Sequence, residues 1–477
     1  MCFALSWCAL WLKDKHRMNI LNYKLYYFLG VGGIGMSALA RFFNHYKKTV
    51  IGYDKTATNL TNQMQSEGIQ CYFDDNVERL KTILASYSKD EVLIVYTPAV
   101  PKEHAEYVYL LENNYTILKR SVVLGEITKQ FKTIAIAGTH GKTTTTTLVT
   151  HLLKSAGINC FAFMGGISKN YNTNLLLGDV NDKDAYVVVE ADEYDRSFLT
   201  LHPQIAVITS VDADHLDIYG NAEHVKKGYA LFAKQLKSDG MLIVKKNVDN
   251  DLTLSNKRLI YSLNLDTEYC AESIVMANAQ FSYNIKSPVE AISGVTLGLP
   301  GLHNIENSIA AVAIAQQIGI KGDVIKSALR SFSGVKRRFD YRVKTEKVVY
   351  IDDYAHHPEE LKATIGSVRK LYPAKKITGI FQPHLFSRTR DFIDDFAASL
   401  DLLDECILLE IYPAREKPIE GVTSTWLLSK MKMKDKKLMT KQQVLDKMKE
   451  ASPEVLITMG AGDVDSLIEP LEKILNK

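Results

Sequence analysis

The residues best suited to chemistry lie in "AIAGTHGKTTTTTLV", from Ala135 to Val149. Gly138 and Gly141 flank only Thr139 and His140, and Lys142, Thr143 and Thr144 follow at once. A strand, a glycine-bearing turn and a helix in that order aim backbone N–H groups at an anion, with a lysine for terminal phosphates and a hydroxyl for Mg²⁺. The common form of such a loop keeps four residues between its glycines. Here there are two, and Ile136 stands where the longer loop has its first glycine. Thr143 to Thr147 are poor helix formers, so an anion at the positive end of the helix dipole is expected to hold this helix start.

Two acidic clusters follow. "VVVEADEYDRSF" carries Glu190, Asp192, Glu193 and Asp195, and "ITSVDADHLDIYG" carries Asp212, Asp214, His215 and Asp217, each after an apolar strand-like run. Open α/β sheets bind ligands at the carboxyl ends of their strands, and oxygen ligands suit Mg²⁺. Glu190 and His215, nearest their strand ends, are the expected metal ligands beside Thr143. Upstream, "YFLGVGGIGMSALARFF" places Gly30, Gly32, Gly33, Ile34 and Gly35 between a strand and a helix, and the next strand ends at Asp54. Such a turn receives a diphosphate, either of a dinucleotide, as in a dehydrogenase, or of a nucleotide sugar.

The elements that must position these residues are continuous apolar runs such as "TIAIAG", "VVYIDD", "CILLEIY" and "VLITMGAG", alternating with helical patterns. Strands buried on both faces of mostly parallel sheets read this way, so the class is α/β. The 477 residues exceed one core. Three domains are expected, at 18–128, 129–333 and 334–477, with divisions near "LGEITKQFK" and the basic connector "FSGVKRRFDYRV". The apolar fraction is 46%, and the net charge of +3 is spread along the chain, which argues against a nucleic-acid partner. Six scattered cysteines without a C-x-x-C pair fit a reducing, cytoplasmic setting. "MCFALSWCALWL" is too short to span a bilayer, so no membrane partner is expected, and residues 1–17 are expected to be an extension outside the fold.

In order along the chain, "GTHGKTTT", "EADE", "DADHLD", "LPGLHNIENSIAA", "DDYAHHPEEL" and "GAGD" resemble the Mur ligases, most closely those that act on UDP-N-acetylmuramate. The resemblance implies an N-terminal Rossmann-like domain for the UDP-sugar, a central P-loop ATPase-like domain and a C-terminal Rossmann-like domain for the amino acid. It implies an ATP-dependent ligase that joins L-alanine to the lactyl carboxylate through an acyl phosphate, with ATP as co-substrate and two Mg²⁺ ions, as a monomer or weak homodimer. Gly138 to Thr144, with His303, Asn304 and Asn307, would meet ATP; Gly30 to Gly35 and Asp54 would meet the UDP-sugar. Thr143, Glu190 and His215 would serve the metal. Arg337 or Arg338 would reach the phosphates beside Lys142, and Tyr354, His356 and Arg388 would lie by the amino acid. The attacking amine must be unprotonated, for which His356 and His357 are the candidate bases, a histidine pair before proline at a helix start being equally a capping and packing feature. Two positions depart from the alanine-adding pattern: Leu385 stands where an arginine is common, and Tyr194 where a serine is common. Tyrosine there is frequent in the related ligase that recycles murein tripeptide, which is the alternative activity. A nicotinamide oxidoreductase and a non-enzymatic P-loop switch are more distant ones.

Overall fold

The computed structural model describes residues 19–212, 216–248, 257–264, 266–277, 280–414 and 416–476. The expected extension, residues 1–17, lies outside them, as does His215. Among the described residues the strands form three sheets. The first joins β1 (Leu25–Leu29), β2 (Thr49–Tyr53), β3 (Gln70–Tyr72), β4 (Val92–Tyr96) and β5 (Thr116–Lys119), all parallel, in the order β3-β2-β1-β4-β5. β1 and β4 are buried along their whole inner length, which explains their unbroken apolar runs. The strand order reverses beside β1, and such a switch point opens a crevice at the strand ends. The glycine-rich turn follows β1 there.

The second sheet contains β6 (Lys132–Ala137), β7 (Cys160–Ser168), β8 (Thr173–Leu176), β9 (Tyr186–Glu190), β10 (Ile205–Ile208), β11 (Met241–Lys245), β12 (Lys257–Ser262), β13 (Tyr269–Ala277), β14 (Gln280–Lys286) and β15 (Ile292–Thr296). Its order is β15-β14-β13-β12-β11-β10-β6-β9-β7-β8. The stretch from β13 to β7 is parallel, with antiparallel strands added at both edges. The third sheet, β16 (Asp340–Lys344), β17 (Val349–Asp353), β18 (Ile377–Phe381), β19 (Glu405–Leu408), β20 (Lys436–Leu438) and β21 (Val455–Met459), has the order β16-β17-β21-β18-β19-β20, with β16 alone antiparallel. The mixed α/β architecture is therefore the one expected. The helix Arg120–Gln130 ends one residue before β6, so the passage from the first sheet to the second lies at Phe131.

The threonine run forms the start of the helix Lys142–Ser155, which is buried from Thr143 to Leu153. Thr147 and Thr150 donate their hydroxyl protons to the carbonyls four residues back, at 2.8 Å each. That local bonding satisfies polar side chains inside a helix. Two straps fix the layers around the site. Arg41 is bidentate on Glu67 at 2.6 and 2.8 Å and also reaches Thr173 at 2.9 Å, while Asn174 donates to the carbonyl of Ile34 at 2.7 Å. These bonds tie the first domain's glycine-rich turn to β8. At the other end, Asn170 grips Ser331 and Ser333 at 2.8 Å each, and Lys336 N donates to Ile167 O at 2.9 Å. Arg337 and Phe339 adopt positive φ of 63° and 48° in this connector, backbone strain that a packed surround must hold.

Candidate functional site

A cavity of about 1110 Å³ opens where the three domains meet. Ile34 borders it from the first; Thr143, Glu190, Asp192 and Tyr194 from the second; Arg337, Arg338, Tyr354, His356, Leu385 and Arg388 from the third. A second cleft of about 240 Å³ adjoins it, bordered by His140, Gly141, Thr144, His303, Asn304, Asn307 and Arg338. Arg338 is common to both.

The short loop packs tightly. Gly138 has φ 131°, and a Cβ there would lie 2.0 Å from Thr209 Oγ1; at Gly141, with φ 83°, it would lie 2.5 Å from Asn307 Oδ1. Only glycine fits both the dihedral and the space. Thr139 donates to the carbonyl of Asp212 at 2.9 Å, and His140 N donates to Ser210 Oγ at 2.8 Å. Gly141 caps the helix without a side-chain bond, so the first N–H groups face the cleft as donors for an anion. Lys142 Nζ donates to the carbonyls of Gly138 at 2.6 Å and Thr139 at 3.2 Å and to Glu193 at 2.8 Å. Burial works against its charge, yet Glu193, Glu190 and Asp192 outweigh burial and hold the ammonium above the ordinary lysine range. Burial pushes Glu193 the other way, up to about 7, against the pull of Lys142.

Thr143 donates to Glu190 Oε1 at 3.0 Å, and the amide of Gly165 donates to Glu190 Oε2 at 3.0 Å. Burial raises the Glu190 carboxyl, opposed by Lys142 and Arg338. A half-buried carboxylate against a hydroxyl, both offering oxygen ligands beside the short loop, fits Mg²⁺. Elsewhere Asp75, His104 and Glu106 converge. There Asp75 accepts from the amides of Ala105 and Glu106, Glu106 accepts from Tyr27 at 2.7 Å, and Arg79 lies 3.5 Å from it. A guanidinium already supplies the positive charge at that place.

The two connector arginines separate by geometry. Arg337 Nε lies 3.3 Å from the fully buried Asp352, and its Nη2 donates to Gly460 O at 2.7 Å. Arg338 lies over the Tyr354 ring at 4.8 Å and faces Glu360 at 3.8 Å, on the side of the cleft that His140 and Gly141 border. Burial drives His303 down to about 4, with Glu360 opposing it, and Asn304 donates to Pro300 O at 2.6 Å. In the first domain Asp54 accepts from the amide of Gly32 at 2.7 Å, so this carboxylate holds the glycine-rich turn in shape. Leu385 has φ 72° and starts the helix Phe386–Asp391, which carries the buried Arg388.

Sequence reasoning overlooked Glu360. It receives the amides of His356 at 3.0 Å and His357 at 3.2 Å, lies 3.1 Å from His356 Nδ1, and meets His140 Nδ1 at 3.3 Å. The signal was present: Glu360 follows His357 by three at a helix start, the offset that closes a capping box, and follows His356 by four, one helical turn on.

Three family models match the chain: the "Mur ligase family, catalytic domain" over residues 25–132, the "Mur ligase middle domain" over 136–315 and the "Mur ligase, glutamate ligase domain" over 337–464. The chain is 47% identical over 462 residues to the UDP-N-acetylmuramate--L-alanine ligase of Parabacteroides distasonis, covering 96% of this chain and 99% of that one. It is 44% identical to the enzyme of the same name from Flavobacterium johnsoniae, covering 96% and 100%. Its fold is similar to the UDP-N-acetylmuramate-alanine ligase of Thermotoga maritima, with a TM-score of 0.76, 24% identity and coverage of 94% and 98%. A murein peptide ligase of Psychrobacter arcticus has a TM-score of 0.71 at 22% identity, with coverage of 95% and 99%.

Proposed function

The chain belongs to the Mur ligase family, and from that premise we propose that it joins L-alanine to the lactyl carboxylate of UDP-N-acetylmuramate, using ATP, in peptidoglycan precursor synthesis. The observation that carries the reading is the short glycine loop, which borders the second cleft through His140 and Gly141 and, through Thr143 at the helix start, reaches the cavity bordered by all three domains. The recycling alternative has less support: the murein peptide ligase likeness at 22% identity speaks for the fold alone, while relatives at 44–47% identity carry the alanine-adding name. A nicotinamide oxidoreductase leaves Lys142 and Glu190 without a task.

A free carboxylate is a poor electrophile, because an attacking amine would have to expel oxide. Transfer of the γ-phosphoryl group of ATP to that carboxylate forms an acyl phosphate and ADP. The amine of L-alanine then attacks the acyl carbon, and the tetrahedral oxyanion collapses with loss of phosphate. Charge in the first step spreads over the phosphoryl oxygens, so positioning and electrostatics do the work. Lys142 and the helix N-terminus would receive the phosphates from one side, and Arg338 from the other. Thr143 and Glu190 would hold Mg²⁺, which neutralises phosphate charge when bound. The cleft with His303, Asn304 and Asn307 would take the rest of the nucleotide. The glycine-rich turn from Gly30 to Gly35 would take the diphosphate of the UDP-sugar. Tyr354, His356 and Arg388 would border the alanine.

Four described cysteines, Cys71, Cys160, Cys270 and Cys406, are buried and free, and among the described residues no helix is long and apolar enough to cross a membrane. The free, buried thiols support work in a reducing compartment such as the cytoplasm. The domain divisions at 18–128, 129–333 and 334–477, and a monomer or weak homodimer, belong to the same proposal. The test is phosphate release with ATP, UDP-N-acetylmuramate and a panel of amino acids, run beside free tripeptide. Release is expected with L-alanine and only with the UDP-sugar present. Preference for the tripeptide, or release with ATP alone, would replace the reading with one of its rivals.

A further inference from the structure

Glu360 stands between the two cavities, with its side chain 16% exposed. One oxygen, Oε1, lies 3.3 Å from Nδ1 of His140 in the phosphate loop and 3.8 Å from Arg338 Nη1. The other, Oε2, lies 3.1 Å from His356 Nδ1 and accepts the amides of His356 and His357. The two histidines belong to different domains and border different cavities: His140 the nucleotide cleft, His356 the large one. A carboxylate on one ring nitrogen of a histidine fixes the ring orientation and favours the tautomer that leaves the other nitrogen as acceptor. With Nδ1 of His356 taken by Glu360 and by the carbonyl of Tyr354 at 3.0 Å, Nε2 is the nitrogen left for the large cavity.

We propose that Glu360 is a positioning residue that holds His356 as the base for the incoming amine and, through His140, ties that base to the phosphate loop. This rests on the ligase reading above. In the step it serves, an N–H bond of the alanine ammonium breaks and its proton bonds to Nε2 of His356. The nitrogen lone pair so freed attacks the acyl phosphate, and the Glu360 carboxylate faces the imidazolium that results. Because the same carboxylate holds His140, a displaced phosphate loop pulls on the group that orients the base. The amine is thereby activated in the arrangement that also places the acyl phosphate.

The test compares two acceptors. L-Alanine arrives as an ammonium and needs a base; hydroxylamine is largely unprotonated at neutral pH and traps the acyl phosphate as a hydroxamate without one. In Glu360→Gln, kcat with L-alanine is expected to fall about 100-fold, the usual scale for a lost proton-transfer partner. Hydroxamate formation from ATP and UDP-N-acetylmuramate should stay within a few-fold of the unsubstituted enzyme. Glu360→Asp should recover part of the L-alanine rate. Equal loss with both acceptors would assign Glu360 to the fold or the phosphate site and overturn the proposal, as would no loss with either. If Glu360→Gln does not fold, His356→Gln carries the test, with the same selective loss expected and equal loss overturning it. An unsubstituted enzyme that forms no hydroxamate would overturn the ligase reading itself, a result separable from a defect confined to L-alanine.

Discussion

At the scale of single residues, neighbouring side chains of one type have different tasks. Arg337 and Arg338 are adjacent, yet one pairs with the buried Asp352 and the other faces Glu360 at the cleft beside the short loop. Arg337→Ala is expected to cost about 3–5 kcal/mol of stability, because it leaves a buried carboxylate unpaired. Arg338→Ala should leave the unfolding midpoint nearly unchanged and lower kcat about 100-fold or more, as loss of one charge-stabilising group does. Chemical denaturation beside steady-state kinetics separates the two, and the reverse pattern would exchange their roles. His303 makes a pH prediction. Its pKa, about 4 in the fold against an ordinary 6.5, means that the unfolded chain binds more protons between those values. Stability from this group is complete above pH 6.5 and is lost as pH falls towards 4. Thermal unfolding midpoints should therefore drop by a few degrees between pH 7.5 and pH 5, and His303→Gln should flatten that decline; a parallel decline would remove His303 as its cause.

At the scale of elements, the phosphate loop is short because it is braced from outside. Thr209 and Ser210 follow β10, the parallel neighbour of β6, and bond to His140 within the loop. A longer loop would wrap an anion with its own backbone; this one borrows rigidity from the next strand and from Asn307 of the helix Leu302–Gln317. Gly138→Ala sets a Cβ against Thr209 at a φ that costs an L-residue about 1–2 kcal/mol. ATP affinity should fall about tenfold or more, since each 1.4 kcal/mol is a factor of ten. The titration of an ATP analogue reads this directly, and unaltered affinity would mean that the loop is not held by Thr209. The expectation that an anion secures the threonine-rich helix start acquires a structural companion here: burial and carbonyl bonding by Thr147 and Thr150 support the same turns.

At the scale of the whole molecule, the site exists only where three separately built sheets meet. The first domain is strapped to the second by Arg41, with Glu67 on its own side and Thr173 across the boundary. Arg41→Met keeps the apolar stem and removes those bonds, at an expected cost of about 2 kcal/mol for charged hydrogen bonds. UDP-sugar affinity should weaken with it, since Asn174 beside this strap holds the turn at Ile34. Unfolding by urea with a parallel UDP-sugar titration checks both; unchanged values would assign the strap no part in joining the domains.

By itself the sequence determined what depends on neighbours along the chain: buried parallel strands from continuous apolar runs, the short loop from its glycines and lysine, and the family from six motifs in order. That Thr143 and Glu190 lie together, at 3.0 Å, was legible too, because one starts a helix and the other ends a strand, both recognisable in the sequence. The tertiary structure alone decided what depends on residues far apart in sequence. It turned Arg337 towards Asp352 and Arg338 towards Glu360, set Asp54 against the Gly32 amide, and brought Glu360 to His140 across 220 positions. The physical reason is range. Hydrophobic periodicity and turn chemistry act over a few residues, whereas a buried charge finds its partner only after the sheets have closed and removed the water that would otherwise have solvated it.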